Sequence, residues 1–225
     1  MSDWKNLDIA SKRAFYKKLS EALTDHKRAL FAEKVKYRTR HISLALEDMM
    51  KSQNASALMR TADAFGVHRV DVYDKQERFN VSSGISKGVE KWLDVDFFNT
   101  YDEGATETWG SRLKSSGRKL YVTALDSTAK PLHEIDPKVP ATILFGNEQE
   151  GASKEIQQMA DELIYIPMKG FVESFNVSVS CGIVLHHLTL GMEQAGIARG
   201  LEEEDELNTL INWALRTVPN PHLYL

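Results

Sequence analysis

The stretch TILFGNEQEGASKE, residues 142–155, joins a short apolar run, a polar loop bounded by glycines and the start of a helix. The apolar run ends at Gly146, and Ser153 is a residue type that caps helix N-termini. A strand followed by a helix is the repeating unit of parallel α/β sheets, which bind ligands beyond the carboxyl ends of their strands. The stretch therefore predicts an α/β fold with a ligand site after Gly146.

The same alternation continues on both sides of this stretch. Gly66 and Gly117 are suited to end helices, because glycine readily adopts the left-handed conformation found there. Residues 75–90, rich in Ser, Gly, Lys and Asn, are predicted to form a mobile loop. The strands are predicted at residues 42–46, 69–73, 95–98, 120–124, 142–145 and 163–166, and the helices at 54–65, 102–116, 153–161 and 177–195.

Helical patterns also flank this core at both ends. Residues 8–33 place apolar side chains at helical spacing among basic ones, which predicts one or two amphipathic helices. The tail from Leu201 opens with five acidic residues, which favour a helix start because they complement the helix dipole. Asn54 is predicted to cap the helix at 54–65, and one of Ser174, Asn176 and Ser178 to cap the helix at 177–195.

The charge distribution is uneven. The net charge of −4 divides into +6 over residues 1–41, with 11 Lys and Arg against 5 Asp and Glu, and −10 over the remainder. A basic arm on an acidic body is typical of proteins that bind polyanions, although a solvated helix face is an equal alternative. We expect a cytoplasmic protein, because no apolar run approaches the roughly 20 residues of a membrane span and the N-terminus lacks a signal-peptide core.

The loop after Gly146 has glycine spacing similar to part of a Walker A motif. Residue 152 is alanine where that motif needs lysine, and Glu148 and Glu150 would repel phosphates. A small neutral or cationic ligand is therefore favoured over a nucleoside triphosphate. His186 and His187 have no acidic or cysteine partner at ligand spacing, so no metal site is predicted.

Two further segments carry polar side chains without an evident structural need. Arg60 lies in mid-helix among small residues. A surface ion pair with Asp63, three residues further along the helix, is the structural alternative to a functional role for Arg60. Ser174, Asn176 and Ser178 lie at the mouth of an apolar helix, and one cap would satisfy it. The surplus polar atoms favour a substrate or ligand held at that helix N-terminus.

Taken in order, residues 54–67, 144–151 and 166–179 resemble motifs 1, 2 and 3 of the SpoU/TrmH family of SPOUT-class RNA ribose 2′-O-methyltransferases. The resemblance spans about residues 42–195. The linking region at 120–153 and the helical extensions are most similar to the family branch that methylates guanosine 18 in the D-loop of tRNA. Other targets within the family, such as rRNA or another tRNA nucleotide, and a catalytically silent RNA-binding or assembly factor remain as alternatives.

The resemblance implies an α/β fold, a SPOUT-type parallel sheet flanked by helices with a C-terminal deep trefoil knot. It implies a homodimer, the cofactor S-adenosyl-L-methionine, tRNA as partner and no need for a metal. The implied segments are a basic helical RNA-binding extension at 1–41, the methyltransferase core at 42–195 and a helical extension at 196–225.

The resemblance also assigns site residues. For Arg60 a role as general base and a role as electrostatic stabiliser both stay open, since a guanidinium normally remains protonated near neutral pH. Asn54 is expected to orient Arg60. The implied catalytic residues are Asn54, Arg60, Glu148, Ser174 and Asn176, the cofactor-binding residues are Thr123, Gly146, Ile166 and Phe175, and the RNA-binding residues are Lys12, Arg13, Lys17, Lys18, Arg38 and Arg40.

Overall fold

The computed structural model describes residues 4–75, 88–100 and 102–224. Most of the loop predicted at 75–90 lies outside these residues. The chain forms two compact units. One unit, the helical unit, combines the chain up to Thr39 with the chain from Arg199 onward, and the other, the core unit, is Arg40–Ala198.

The core unit contains one seven-stranded sheet in the order β3-β2-β1-β6-β4-β7-β5, and every strand pairing is parallel. This confirms the predicted parallel sheet flanked by helices. The strands are β1 Ile42–Glu47, β2 Arg69–Tyr73, β3 Asp94–Phe98, β4 Lys119–Thr123, β5 Lys130–Pro131, β6 Ala141–Phe145 and β7 Glu162–Tyr165. The helices of the whole chain are α1 Ile9–Glu21, α2 Asp25–Lys34, α3 Ser52–Ala64, α4 Ala105–Lys114, α5 Lys154–Met159, α6 Val177–Gln194 and α7 Glu203–Leu215.

The six predicted strands each lie within one residue of an observed strand. Strand β5 was not predicted, because two residues that include a proline carry no alternating apolar pattern. Gly66 and Gly117 both have φ of 75°, as expected of glycines that follow helices. The predicted capping role of Asn54 is wrong: α3 begins at Ser52, so Asn54 lies inside its first turn.

The sheet is buried on both faces, as an all-parallel sheet must be. Side chains alternate between the faces along each strand, so Leu44 and Leu46 pack on one side and Ala45 on the other. Helices α3 and α6 cover the first face and pack against each other, while α4 and α5 cover the second. The carboxyl ends of β4, β6 and β7 therefore open between these two layers.

In the helical unit, α1 packs against α7. The ring of Phe31 meets that of Trp213 edge-on, with 5.4 Å between centroids. The first turn of α7 contains four acidic residues, which confirms the predicted acidic helix start. Two of these acids pair with α1: Glu204 with Lys12 and Glu203 with Arg13.

Two residues predicted to bind RNA are buried in this unit. Lys12 is 1% exposed, with its Nζ 2.5 Å from Glu204 Oε1, and Arg38 is 5% exposed, with its guanidinium 5.3 Å from the centroid of Trp213. A buried cation held by a carboxylate or an aromatic ring stabilises packing and cannot reach a phosphate. The prediction for Lys12 and Arg38 is therefore corrected to a structural role.

Candidate active site

A cavity of about 530 Å³ opens at the carboxyl ends of β4, β6 and β7. This is the edge at which open α/β sheets bind ligands, and the volume lies within the usual range for small-molecule sites. Eight of the nine residues predicted for catalysis or cofactor binding line it, and only Arg60 does not. The eight are Asn54, Thr123, Gly146, Glu148, Ile166, Ser174, Phe175 and Asn176.

Gly146 is required by a close approach of the backbone. A Cβ atom at this position would lie 2.0 Å from the amide nitrogen of Ala152 and 2.1 Å from the carbonyl carbon of Gly151. The loop is closed by two backbone hydrogen bonds of 3.1 Å between Asn147 and Gly151, and Gly151 itself has a φ of 75°. The two glycines thus shape a turn whose backbone forms one wall of the cavity.

Glu148 anchors this loop to the start of α3. Its carboxylate accepts hydrogen bonds from the backbone N–H of Met50 at 3.0 Å, from that of Lys51 at 3.2 Å and from Asn54 Nδ2 at 2.7 Å. Burial acts to raise the pKa of Glu148, but the hydrogen bonds from Asn54, Met50 and Lys51 outweigh it and lower the pKa. Glu148 therefore carries its negative charge at neutral pH.

A chain of side-chain amides continues from Glu148. Because the carboxylate only accepts, Asn54 presents its NH₂ to Glu148 and its Oδ1 to Asn176, whose Nδ2 donates at 3.2 Å. Asn176 in turn presents its Oδ1 to the backbone N–H of Ser178 at 2.8 Å and caps α6. One polar chain therefore joins three separate segments around the cavity mouth, and among the polar residues at the start of α6 it is Asn176 that caps the helix.

Replacing Asn54 with aspartate tests this chain at neutral pH. The change removes the amide donor and places a second carboxylate beside Glu148, so we expect the free energy of unfolding to fall by about 1.5–3 kcal/mol. The lowered pKa of Glu148 stabilises the native state above the unfolded-state pKa of about 4.3, and that stabilisation is lost as pH falls through the native-state pKa. The loss from Asn54→Asp should therefore shrink in acid.

Thermal unfolding from neutral to acidic pH measures this difference. Gln53→Glu is the matched control, since it adds the same charge at an exposed neighbouring position. If Asn54→Asp lowers the free energy of unfolding only as much as Gln53→Glu does, or by an amount that does not vary with pH, the assigned hydrogen bonds are contradicted.

Arg60 is exposed on α3 and is absent from the cavity lining. It lies six residues beyond Asn54, which places the two side chains about 9 Å apart along the axis and on different faces. The amide of Asn54 is already bonded to Glu148 and Asn176. The expectation that Asn54 orients Arg60 is therefore wrong within a single chain.

Four of the predicted RNA-binding residues remain exposed. Arg13, Lys17 and Lys18 lie on α1 in the helical unit, and Arg40 precedes β1 in the core unit. Arg13 pairs with Glu203, and the Lys18 amine lies 5.8 Å from the centroid of the Tyr224 ring. Exposed cations of this kind can exchange such surface partners for phosphate at little cost.

Several cavity residues were not predicted. Leu132, Phe145 and Val184 supply apolar walls, and Ser180 adds a hydroxyl one turn into α6. In the sequence, the apolar residues are indistinguishable from core residues, which all three also are. Ser180 could have been noticed in the sequence, because it is the second serine after Asn176 at the start of an apolar helix. Helical spacing alone does not say which face of α6 lines a cavity.

Neither a cysteine nucleophile nor a cluster of metal ligands is found among the described residues. Cys181 is buried, and burial raises the pKa of its thiol, which suppresses the nucleophilic thiolate form. Among residues 4–75, 88–100 and 102–224, no group of three or more His, Cys, Asp or Glu side chains has the geometry of a metal site.

Over the same residues, no helix combines the length and the apolar character needed to cross a membrane.

Comparison with known proteins gives consistent matches. Residues 41–186 match the SpoU rRNA Methylase family. The tRNA (guanosine(18)-2′-O)-methyltransferase of Borreliella burgdorferi is 31% identical over 202 residues, covering 90% of each chain. The protein of the same name from Thermus thermophilus is 34% identical over 177 residues, covering 77% of this chain and 87% of the relative. The solved structure of the A. aeolicus TrmH/SpoU tRNA modifying enzyme superposes with a TM-score of 0.75 at 28% identity, covering 92% of this chain and 100% of that one.

Proposed function

This chain belongs to the SpoU rRNA Methylase family, and on that premise we propose that it methylates the ribose 2′-hydroxyl of guanosine 18 in the D-loop of tRNA. It is an S-adenosylmethionine-dependent methyltransferase. The observation that carries the substrate assignment is the match to a tRNA (guanosine(18)-2′-O)-methyltransferase over 90% of both chains. That match extends beyond the three motifs and includes residues of the helical unit.

The cavity fits S-adenosyl-L-methionine. Its volume of about 530 Å³ suits a ligand of this size, and its walls combine apolar side chains with the exposed backbone of the Gly146 loop. Thr123, Gly146, Ile166 and Phe175 would hold the cofactor. The negative charge of Glu148 favours a cationic ligand, and that charge is maintained by its three hydrogen-bond donors. When bound, the cofactor supplies an electrophilic methyl group attached to a sulfonium cation.

The residues of the chain act by position and charge. Asn54, Glu148 and Asn176 hold the loop after β6, the start of α3 and the start of α6 at fixed distances, which keeps the ribose site aligned with the methyl donor. Ser174 lies at the cavity mouth, where its hydroxyl can bond the ribose. Arg60 stabilises negative charge on the 2′-oxygen in the transition state and binds the flanking phosphate. None of these roles needs a metal.

We propose that the active form is a cytoplasmic homodimer. Helix α6 is apolar on faces beyond the one that packs on α3: Val179 and Leu190 are 48% and 43% exposed, and their separation of about three turns puts them on one face. Exposed apolar surface of this kind marks an interface. A second copy would cover this face, and a composite site between two chains would give Arg60 access to substrate that one chain does not provide.

We also propose that the chain is threaded into the C-terminal deep knot of its family. Strand β6 inserts between β1 and β4, and β7 lies beyond β4, so strands that are not consecutive in the chain are neighbours in the sheet. The loops after β4, β6 and β7 then meet at the cavity, and α6 packs across them against α3. A knot at this place would hold the three cofactor-binding loops together.

Parallel incubations of labelled S-adenosylmethionine with unmodified total tRNA and with unmodified rRNA, followed by mapping of the labelled nucleoside, test the function. The expected product is 2′-O-methylguanosine at position 18. Label at another tRNA nucleotide or in rRNA only would overturn the substrate assignment. Absence of label in any RNA would overturn the assignment of an active enzyme.

The salt dependence of tRNA binding tests whether the exposed basic residues contact tRNA phosphates. If Arg13, Lys17, Lys18 and Arg40 each contact a phosphate, the logarithm of affinity should fall with the logarithm of salt concentration at a slope of roughly −2.8 to −3.6. Filter binding over a salt series measures the slope. The double variant Lys17→Ala/Lys18→Ala should reduce it by about 1.4–1.8, whereas a slope unaffected by both changes would place the tRNA elsewhere.

A further inference from the structure

A second pocket lies at the opposite edge of the sheet from the cofactor cavity. Its volume is about 230 Å³, and it opens where β2 and β4 begin. Arg118 immediately precedes β4, whereas Thr123, which lines the cofactor cavity, ends it. A five-residue strand spans about 13–17 Å, so the two sites are separate. The wall contains four arginines, Arg40, Arg69, Arg112 and Arg118, together with Asp71, Leu113, Ser115 and Ser116.

Two of the arginines are neutralised by aspartates. Arg69 donates to Asp71 at 2.7 Å, to Asp94 at 3.0 Å and to Asp96 at 2.5 Å, and Arg112 pairs with Asp96 as well. Asp71 accepts from both Nε and Nη2 of Arg69 through one oxygen, so its charge is already engaged. These three aspartates are engaged by Arg69 and Arg112, and none of them lies within ion-pair distance of Arg118.

The guanidinium of Arg118 has two terminal nitrogens that bond no described residue. Its Nε donates to Thr142 Oγ1 at 3.3 Å, and no carboxylate lies within ion-pair distance of it among the described residues. Its Nη1 and Nη2 make no hydrogen bond to any part of the chain that the structure describes. The side chain is half-buried, so these donors are also partly withdrawn from water.

The electrostatic surroundings of Arg118 favour an anion. Burial lowers the pKa of its guanidinium, Asp71 acts to raise it, and the nearby charges of Arg40 and Arg69 lower it further. A partly buried cation near two other cations is destabilised, and an anion in the pocket would relieve both costs.

We propose that this pocket binds a phosphate group through the guanidinium fork of Arg118. The planar fork matches two phosphate oxygens in bidentate fashion. In the same wall, Ser116 Oγ accepts from the backbone N–H of Arg118 at 3.4 Å and keeps its own proton to donate, whereas Ser115 Oγ already donates to the carbonyl of Arg112. The phosphate belongs either to an RNA backbone or to a small free phosphate compound. The assignment rests on the pocket alone and does not require methyl transfer.

Binding measurements on the full chain separate the two sources. Arg118→Gln removes the charge and the fork, Arg118→Lys keeps the charge, and Lys138→Gln is the matched control, since it removes one charge from an exposed residue shortly before β6 at the same edge. One arm measures tRNA binding over a salt series. The other titrates inorganic pyrophosphate at low salt and records heat of binding and the unfolding temperature.

An RNA phosphate predicts that Arg118→Gln lowers the salt slope for tRNA by about 0.7–0.9, with Lys138→Gln unchanged and Arg118→Lys largely restored. A free phosphate compound predicts saturable pyrophosphate binding that Arg118→Gln abolishes and Lys138→Gln retains. Either result supports the pocket. If Arg118→Gln, folded by circular dichroism, matches Lys138→Gln in both arms, the proposal is overturned, whether or not the protein methylates tRNA.

Discussion

Replacing Arg60 with alanine is expected to lower the single-turnover rate of methyl transfer by about 10²–10³-fold, because a donor that stabilises developing negative charge is lost. The affinity for S-adenosylmethionine should stay unchanged, since Arg60 does not line the cofactor cavity. Rapid-quench assays with saturating tRNA measure the rate, and calorimetric titration of the free enzyme measures the cofactor affinity. A lower rate with unchanged cofactor affinity distinguishes Arg60 from the residues of the cavity wall, whose replacement should weaken cofactor binding.

Arg60→Lys sharpens the test, because it keeps a positive charge and removes the guanidinium fork. Lysine places a point charge where arginine offers two parallel donors, so we expect its rate to stay more than about tenfold below that of the wild type. A rate within about tenfold would show that neither a bidentate contact nor a base function is needed at this position. An equal fall in cofactor affinity would show instead that the α3 surface and the cavity are coupled.

Replacing Gly146 with alanine should abolish cofactor binding while most of the fold survives. The new Cβ would lie within 2.3 Å of three backbone atoms of Gly151 and Ala152, and backbone cannot rotate away as a side chain does. The loop must move, which costs about 1–3 kcal/mol of stability and displaces a wall of the cavity. We therefore expect no measurable heat of S-adenosylmethionine binding and a lowered unfolding temperature.

Gly170→Ala is the control for this change. A Cβ at Gly170 has no heavy atom within 4 Å, and the residue lies outside the cavity lining, in the loop between β7 and α6. Its cofactor affinity and unfolding temperature should match those of the wild type. Retention of cofactor binding by Gly146→Ala would contradict the assignment of this loop as a cavity wall.

Most of the core could be predicted from local pattern. Ile42–Glu47 and Ala141–Phe145 are short, mainly apolar runs, the second bounded by Pro140 and Gly146, and such runs form buried strands of parallel sheets. The helix ends at Gly66 and Gly117 follow from a conformational freedom that belongs to glycine itself. Strand β5 has neither signal and exists only because β7 offers it an edge.

The role of Asn54 shows where local pattern fails. Asparagine near a helix start predicts a cap, since capping involves only a few neighbouring residues. In the structure its amide bonds Glu148, which lies 94 residues away in the sequence. A long-range hydrogen bond leaves no trace in the residues around either partner. Motif resemblance identified both residues as functional and could not say that they contact each other.

The sequence by itself determined the family, the parallel sheet and the edge at which ligands bind, because apolar periodicity, glycine positions and three ordered motifs are local properties of the chain. Only the tertiary structure decided which polar side chains are available. Lys12 and Arg38 are as basic as Lys17 but lie buried against Glu204 and Trp213, while Arg118 retains an unused fork. Burial and pairing depend on which distant segments pack together, so charge alone could not distinguish a structural cation from one that binds phosphate.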